Sequence, residues 1–156
     1  MLQNLYFSYG SNISPEKMQK LCPNAELLGA GYLESYQLVF TTHLEQRSRG
    51  GADVVPATGK EVWGLLYNIS DIELAAMDAN KFYPEIYDRI SVTIQLREGA
   101  GYKTVENVWT YVMQDKQKSY AQPTIDYVNL LLDAAKANEF PFSYQEYLIS
   151  FQNKIG

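Results

Sequence analysis

The first apolar block is Leu5-Tyr6-Phe7-Ser8-Tyr9, which is short and apolar on both sides, so it predicts a mostly buried strand. Gly10-Ser11-Asn12 breaks it. Ser14 followed by Pro15 has the form of an N-cap and a first helical residue. Met18 and Leu21 give that short helix an apolar side before Pro23 ends it. Residues 25–40 mix apolar and polar positions at strand spacing, with Tyr32, Tyr36, Leu38 and Phe40 as candidate inward residues. Residues 41–51 carry turn and charged residues and are expected to form a loop. Ala52 to Pro56 reads as a short strand, Thr58-Gly59-Lys60 as a turn, and Val62 to Ile69 as a strongly apolar strand.

Ser70 with Glu73 has the spacing of a capping box, so a helix is predicted from Asp71, with Leu74 and Met77 toward the core. Residues 78–84 read as irregular. Tyr87 to Arg97 alternates as a strand with Ile90, Val92, Ile94 and Leu96 on one side. A turn at Glu98 to Gly101 leads to the next strand, Val105 to Met113. Pro123 opens a long helix in which Ile125, Val128, Leu131, Leu132 and Ala135 keep helical spacing, and Phe140-Pro141 stops it. A last short helix is expected near Tyr144 to Asn153. Strands in the first two thirds and helices at the edges and end imply an α+β fold with a curved or barrel-like, largely antiparallel sheet. The 156 residues favour one domain spanning 1–156, and no internal repeat is visible.

Thirteen Lys and Arg against 18 Asp and Glu give a formal charge of −5, which disfavours nucleic acid as a partner. Cys22 is the one cysteine, so no intrachain disulfide forms and a reducing compartment fits; the residue reads as buried and structural. His43 is the one histidine, which removes metal sites built on several histidines or clustered thiolates. No nucleophile elbow supports a triad built on it. The start, MLQNLYFSYG, lacks the features of a signal peptide. No apolar run approaches the ~20 residues that cross a bilayer. The expectation is a soluble, cytoplasmic protein that binds neither membrane nor nucleic acid. The 13 tyrosines supply rigid, half-polar walls that suit either a pocket for a small polar molecule or an aromatic core with hydroxyls reaching water.

Two stretches are candidates for chemistry. In Tyr9-Gly10-Ser11-Asn12 the glycine is expected for its backbone freedom. Successive N–H groups there, with the following helix, could receive a carboxylate or a developing oxyanion; an ordinary strand-to-helix turn has the same composition. Asp78 to Glu85 places Lys81 and Glu85 in an irregular stretch between a helix and a strand, where either an active-site loop or a solvated charged loop fits. Arg47, Arg49, Gly50 and Gly51 read as a flexible, solvated basic loop.

Together these blocks resemble the γ-glutamylcyclotransferase-like family over nearly the whole chain. Tyr6 to Asn12 resembles its Tyr-Gly-Ser-Asn signature. Gly50 to Pro56 followed by Gly59 to Gly64 resembles its second block. Tyr87-Asp88-Arg89 stands where members carry a Tyr-x-Arg strand start. Pro123-Thr124 leading to Tyr127, and then Ala134 to Pro141, resembles its C-terminal helix. The resemblance implies a small mixed β-barrel with peripheral helices. It also implies a reaction in which the α-amino group of a γ-glutamyl amine or peptide attacks the γ-carbonyl, expels the amine and gives 5-oxoproline, without metal or organic cofactor. Tyr6, Phe7, Ser8, Tyr9, Gly10, Ser11 and Asn12 would hold the small-molecule substrate, and Tyr87, Arg89 and Tyr111 would shape its pocket. Several relatives pair as homodimers, although no exposed apolar stripe argues for one here.

One position departs from the pattern. Cyclising members carry Leu-Asp-x-x-Glu after the capped helix, and here the segment reads Met77-Asp78-Ala79-Asn80-Lys81, so Lys81 takes the place of the catalytic carboxylate. A free lysine has a pKa near 10.4, and holding it neutral at pH 7 costs roughly 4.6 kcal/mol unless its surroundings lower that value. A charged lysine would repel an α-ammonium substrate. Three readings stay open: Glu85 supplies the carboxylate on a differently folded loop; Lys81 is itself base or nucleophile; or cyclisation is gone and a cationic Lys81 favours an anionic ligand or forms an inert ion pair with Asp78 or Glu85. The expected function is that of an enzyme of this class with altered chemistry, acting on a small γ-glutamyl or related amino-acid-derived amide or amine. The alternative is a catalytically inactive binding or interaction protein on the same fold.

Overall fold

The computed structural model describes residues 3–43, 51–114 and 118–155; Arg47, Arg49 and Gly50 of the expected basic loop lie outside the described residues. In chain order the elements are β1 (Asn4–Ser8), α1 (Pro15–Leu21), β2 (Glu26–His43), β3 (Gly51–Ile69) and α2 (Asp71–Asn80). They continue as β4 (Tyr87–Glu98), β5 (Gly101–Met113), β6 (Lys118–Tyr120), α3 (Ile125–Ala137) and α4 (Phe142–Ile155). A 3-10 turn, Ser11–Ile13, joins β1 to α1. The strand order is β3-β1-β5-β4-β2-β6, and β2 also pairs with β3, so five strands close a ring to which β6 is added. The β1–β5 pairing is parallel, with Tyr6 opposite Trp109, and the other pairings are antiparallel. The expected α+β class with a mixed, curved sheet is therefore what the chain forms. No helix among the described residues is long and apolar enough to cross a membrane.

Three local expectations are corrected. The two strands and turn expected between Ala52 and Ile69 are one strand, β3. The register passes from Glu34↔Glu61 to Tyr36↔Pro56, so residues 57–60 bulge out opposite Ser35. Gly59, at φ 80°, permits the excursion, after which pairing resumes. The loop expected from Thr41 begins later, because Thr41 pairs with both Gly51 and Tyr120 and draws β2 on to His43. The irregular stretch expected from Asp78 to Pro84 begins three residues later, at Lys81, because α2 runs on to Asn80.

Side chains explain how these elements are held. The Ser70–Glu73 capping box forms as predicted: the Glu73 N–H donates to Ser70 Oγ at 3.1 Å and the Ser70 N–H to Glu73 Oε1 at 3.1 Å. The buried Glu73 carboxylate also accepts the Asn24 N–H at 2.7 Å, tying α2 to the entry of β2. Asp53, fully buried, accepts from Thr41 Oγ1 (3.0 Å), the Val54 N–H (2.9 Å) and the Met113 N–H (3.0 Å), joining the ends of β2, β3 and β5. Met77 is buried and Leu74 half-buried, giving α2 its inward face.

At Gly64 the two strands β1 and β3 approach so closely that a β-carbon would lie 2.4 Å from the Ser8 carbonyl oxygen and 2.7 Å from the Phe7 ring. Backbone cannot yield as a flexible side chain can, so Gly64→Ala is expected to destabilise the protein by more than about 2 kcal/mol in equilibrium denaturation. At Gly101, where a β-carbon meets nothing within 4 Å, alanine should change stability by less than about 0.5 kcal/mol. Equal effects at the two sites would contradict this packing.

Candidate functional site

Beyond β1 the chain enters the 3-10 turn through Gly10, at φ −115° and ψ −138°. That ψ lies outside the regions open to most other residues, as the expected backbone freedom of glycine requires. Space adds a second reason, since a β-carbon at Gly10 would lie 3.2 Å from Ala52 Cβ and 3.3 Å from Tyr127 Oη, tighter than most such contacts. Tyr127 Oη is itself fixed, accepting the Ala52 N–H at 3.1 Å. Asn12 anchors the other side of the turn by donating from Nδ2 to Met77 Sδ at 3.2 Å.

A cavity of about 20 Å³ opens where this turn meets the end of α2. Its first wall is Tyr6, Tyr9 and the run Gly10-Ser11-Asn12; Lys81 and Tyr87 form a second, and Thr110, Tyr111, Ala52 and Tyr127 complete it. Tyr6, Tyr9, Tyr87 and Tyr111 are buried, whereas Gly10, Ser11, Lys81 and Tyr127 are half-buried, so the cavity reaches solvent on their side. The walls are cross-braced. Tyr9 Oη donates to the Tyr111 carbonyl at 2.5 Å, Thr110 Oγ1 donates to the Phe7 carbonyl at 2.9 Å, and the Tyr6 and Tyr111 rings meet edge to face at 5.9 Å.

Lys81 is the C-cap of α2, with its N–H donating to the Met77 carbonyl at 3.0 Å. Its Nζ lies 5.1 Å from the centre of the Tyr87 ring. Both the carbonyl end of a helix and the face of an aromatic ring favour a positive charge. One turn earlier, Asp78 Oδ1 accepts the Tyr111 hydroxyl at 2.5 Å and Oδ2 accepts Arg89 Nη1 at 2.5 Å. The Arg89 guanidinium lies 4.5 Å from the Trp109 ring centre and 4.9 Å from that of Tyr83. Burial first, and Asp78 second, raise the Tyr111 pKa well above the usual tyrosine value. Burial likewise pushes Tyr6 up to about 12 and raises Tyr9. These hydroxyls therefore stay protonated near neutrality. Because the Tyr111 proton is directed at Asp78, what remains on its oxygen is acceptor capacity.

Of the residues predicted from sequence, Tyr6, Tyr9, Gly10, Ser11, Asn12, Lys81, Tyr87 and Tyr111 come together at the cavity. Phe7 and Ser8 are fully buried and do not line it. Arg89 reaches it through Asp78 and Tyr111. Glu85 is exposed and lies outside the lining, so the loop is not folded to bring its carboxylate in. Asp78, Thr110 and Tyr127 are not among the predicted site residues. Asp78 stands in the Met77-to-Lys81 segment, three residues before Lys81, and Thr110 adjoins Tyr111, so position alone gave no role to either. No Asp or Glu is among the lining residues, and among the described residues no group of three or more His, Cys, Asp or Glu is placed to hold a metal.

Comparison with known proteins fits this geometry. A family profile described as "Gamma-glutamyl cyclotransferase, AIG2-like" matches residues 6–129. The γ-glutamylcyclotransferases of Mus musculus and Homo sapiens are each 28% identical over 149 residues, spanning 92% of this chain and 76% of theirs. A solved γ-glutamyl cyclotransferase structure superposes with a TM-score of 0.81 at 28% identity, covering 93% of this chain and 85% of that one. A yeast γ-glutamyl cyclotransferase described as specific to glutathione, 10% identical, superposes with a TM-score of 0.72 over 99% of this chain and 97% of its own, and shares the fold.

The raised tyrosines have a consequence for stability. The folded protein holds these protons where the unfolded chain, with tyrosines near pH 10, releases them. Their contribution is complete below pH 10 and is lost as pH rises from 10, for Tyr6 toward its value of about 12. Each group removes about 1.4 kcal/mol per pH unit in that window. The melting temperature is expected to hold between pH 7 and 9 and fall steeply above roughly pH 10, less steeply in Tyr111→Phe. A melting temperature unchanged to about pH 11.5 would contradict the buried, protonated assignment.

Proposed function

The chain belongs to the γ-glutamyl cyclotransferase, AIG2-like family, and from that premise we propose that it releases the amine from a small γ-glutamyl or related amino-acid-derived amide. Its chemistry is altered by a cation at Lys81, where the resemblance places a catalytic glutamate. The observation that carries this reading is that Lys81 shares one cavity with Gly10, Ser11 and Asn12. The γ-carbonyl oxygen is received by main-chain amides of the turn, which stabilise the negative charge that develops there. The ammonium of Lys81 receives the ligand's α-carboxylate.

The attacking amine and the carbonyl are parts of one molecule, so positioning supplies much of the acceleration. The amine nitrogen bonds to the γ-carbon, the amide C–N bond breaks, and one of the two amine protons ends on the departing nitrogen. The products are 5-oxoproline and a free amine. Only the unprotonated α-amine can attack. With no carboxylate lining the cavity, the ammonium proton is lost to water before the ligand is enclosed. That same observation favours the second reading, binding without turnover. It would show as a ligand-dependent rise in melting temperature with no amine released.

The rate of amine release should therefore follow the fraction of unprotonated α-amine. kcat/KM is expected to rise about tenfold per pH unit from pH 6 and to level off only above about pH 8, because an α-amine beside a free carboxylate is more basic than a peptide's terminal amine. Lys81→Glu restores a base and should raise kcat at pH 6.5 by about tenfold or more, while KM rises because the cation that holds the α-carboxylate is gone. Glu85→Ala should leave the rate within about twofold, since Glu85 faces water. A flat profile in the natural protein, or a lower kcat in Lys81→Glu, would contradict the assignment.

A further inference from the structure

Between β3 and α4 lies a second cavity, of about 380 Å³, which shares no lining residue with the one at Gly10. That volume falls within the range of small-molecule sites, about 300–1,000 Å³. Its floor is apolar and its rim charged: Leu38, Trp63 and Tyr144 are buried, Tyr147 is half-buried, and Lys60 and Glu61 are exposed. The bulge in β3 builds the rim. In a regular strand neighbouring side chains point to opposite faces. Lys60 and Glu61 are neighbours and yet both line this cavity, because residues 57–60 leave the pairing and rejoin it at Glu61.

The walls are held in place. The Trp63 ring packs 5.2 Å from that of Tyr32 and 5.7 Å from that of Phe140, centre to centre. Its Nε1 donates to Glu61 Oε1 at 3.1 Å, so a carboxylate on an exposed stretch of strand is fixed at the edge of the cavity. Glu34 stands directly across from Glu61 on β2, and two like charges so placed repel unless a cation is shared between them. Neither Lys60 nor Glu61 has an ion-pair partner among the described residues. On the far side, Tyr147 Oη donates to the Leu38 carbonyl at 2.6 Å and accepts Gln37 Nε2 at 3.2 Å, which anchors α4 against β2.

We infer that this cavity binds a free α-amino acid with a large apolar or aromatic side chain. The side chain lies against Trp63, Tyr144 and Tyr147, the ammonium meets Glu61 and the carboxylate meets Lys60. An amine without a carboxylate is opposed by Lys60, and an acid without an amine by Glu61 and Glu34. A free amino acid carries both charges on one carbon, whereas a residue inside a peptide carries neither. None of these contacts involves the reaction proposed at the first cavity.

Calorimetric titration at pH 7 with phenylalanine, N-acetylphenylalanine, phenylalaninamide and glycine tests the assignment. Phenylalanine should bind at least about tenfold more tightly than each of the other three. Glu61→Gln, which keeps an oxygen for Trp63 Nε1, and Lys60→Gln should each weaken phenylalanine binding by about fivefold or more. Both should melt within about 2 °C of the natural protein, which shows that they are folded. Lys81→Gln should leave the affinity within about twofold, since Lys81 lines the other cavity. Absence of saturable phenylalanine binding overturns the inference, as does equal binding of a blocked derivative. An affinity unchanged in Glu61→Gln or in Lys60→Gln, or lost in Lys81→Gln, overturns it too. Each of these failures leaves the reaction proposed at the first cavity standing.

Discussion

Asp78 receives the Tyr111 hydroxyl on one oxygen and the Arg89 guanidinium on the other. Arg89 and Tyr111 stand directly opposite each other across β4 and β5. One carboxylate on the last turn of α2 thus clamps a cross-strand pair and sets where that helix ends. Lys81, three residues on, is carried against Tyr87 and opposite the Gly10 turn as a result. The clamp is half-buried and charge-assisted, with Arg89 covered by Trp109 and Tyr83. Removing Asp78 would leave a partly buried guanidinium without its counter-charge, which costs far more than the pair is worth as an attraction. The site is in this sense a product of where α2 stops.

That stopping point also marks the limit of what the chain discloses before it folds. The start of α2 is legible because a capping box is local, with Ser70 and Glu73 three residues apart. Its end is hidden because Phe82 occupies a position that glycine would have announced. The partners of Asp78 lie 11 and 33 residues away, beyond any local pattern. Thr58-Gly59-Lys60 reads as a turn between two strands, yet β2 and β3 pair on both sides of it, and tertiary pairing turns the punctuation into a bulge. The three-residue β6 is too short for any periodicity to reveal. The backbone freedom of Gly10 is legible from the sequence, whereas its crowding by Ala52 and Tyr127 depends on residues 42 and 117 positions away. The eight signature and pocket residues that do converge were readable because the family pattern is carried in blocks, not because spacing alone predicted a cavity.

A cation at the mouth of this cavity changes what the same walls can do. The buried tyrosines and the Gly10 turn supply shape and hydrogen-bonding groups, and none of the lining side chains is a carboxylate. The ammonium of Lys81 is favoured by the carbonyl end of α2 and by the Tyr87 face. Under the proposed reading, proton removal falls to the solvent, and recognition shifts toward the ligand's negative group.

The most direct measurement is calorimetric binding of 5-oxoproline against its uncharged primary amide, in the natural protein and in Lys81→Gln. With a cation serving the ligand's carboxylate, the acid should bind at least about tenfold more tightly than the amide, about 1.4 kcal/mol, and Lys81→Gln should erase the difference. Equal affinities for acid and amide in the natural protein would contradict the account.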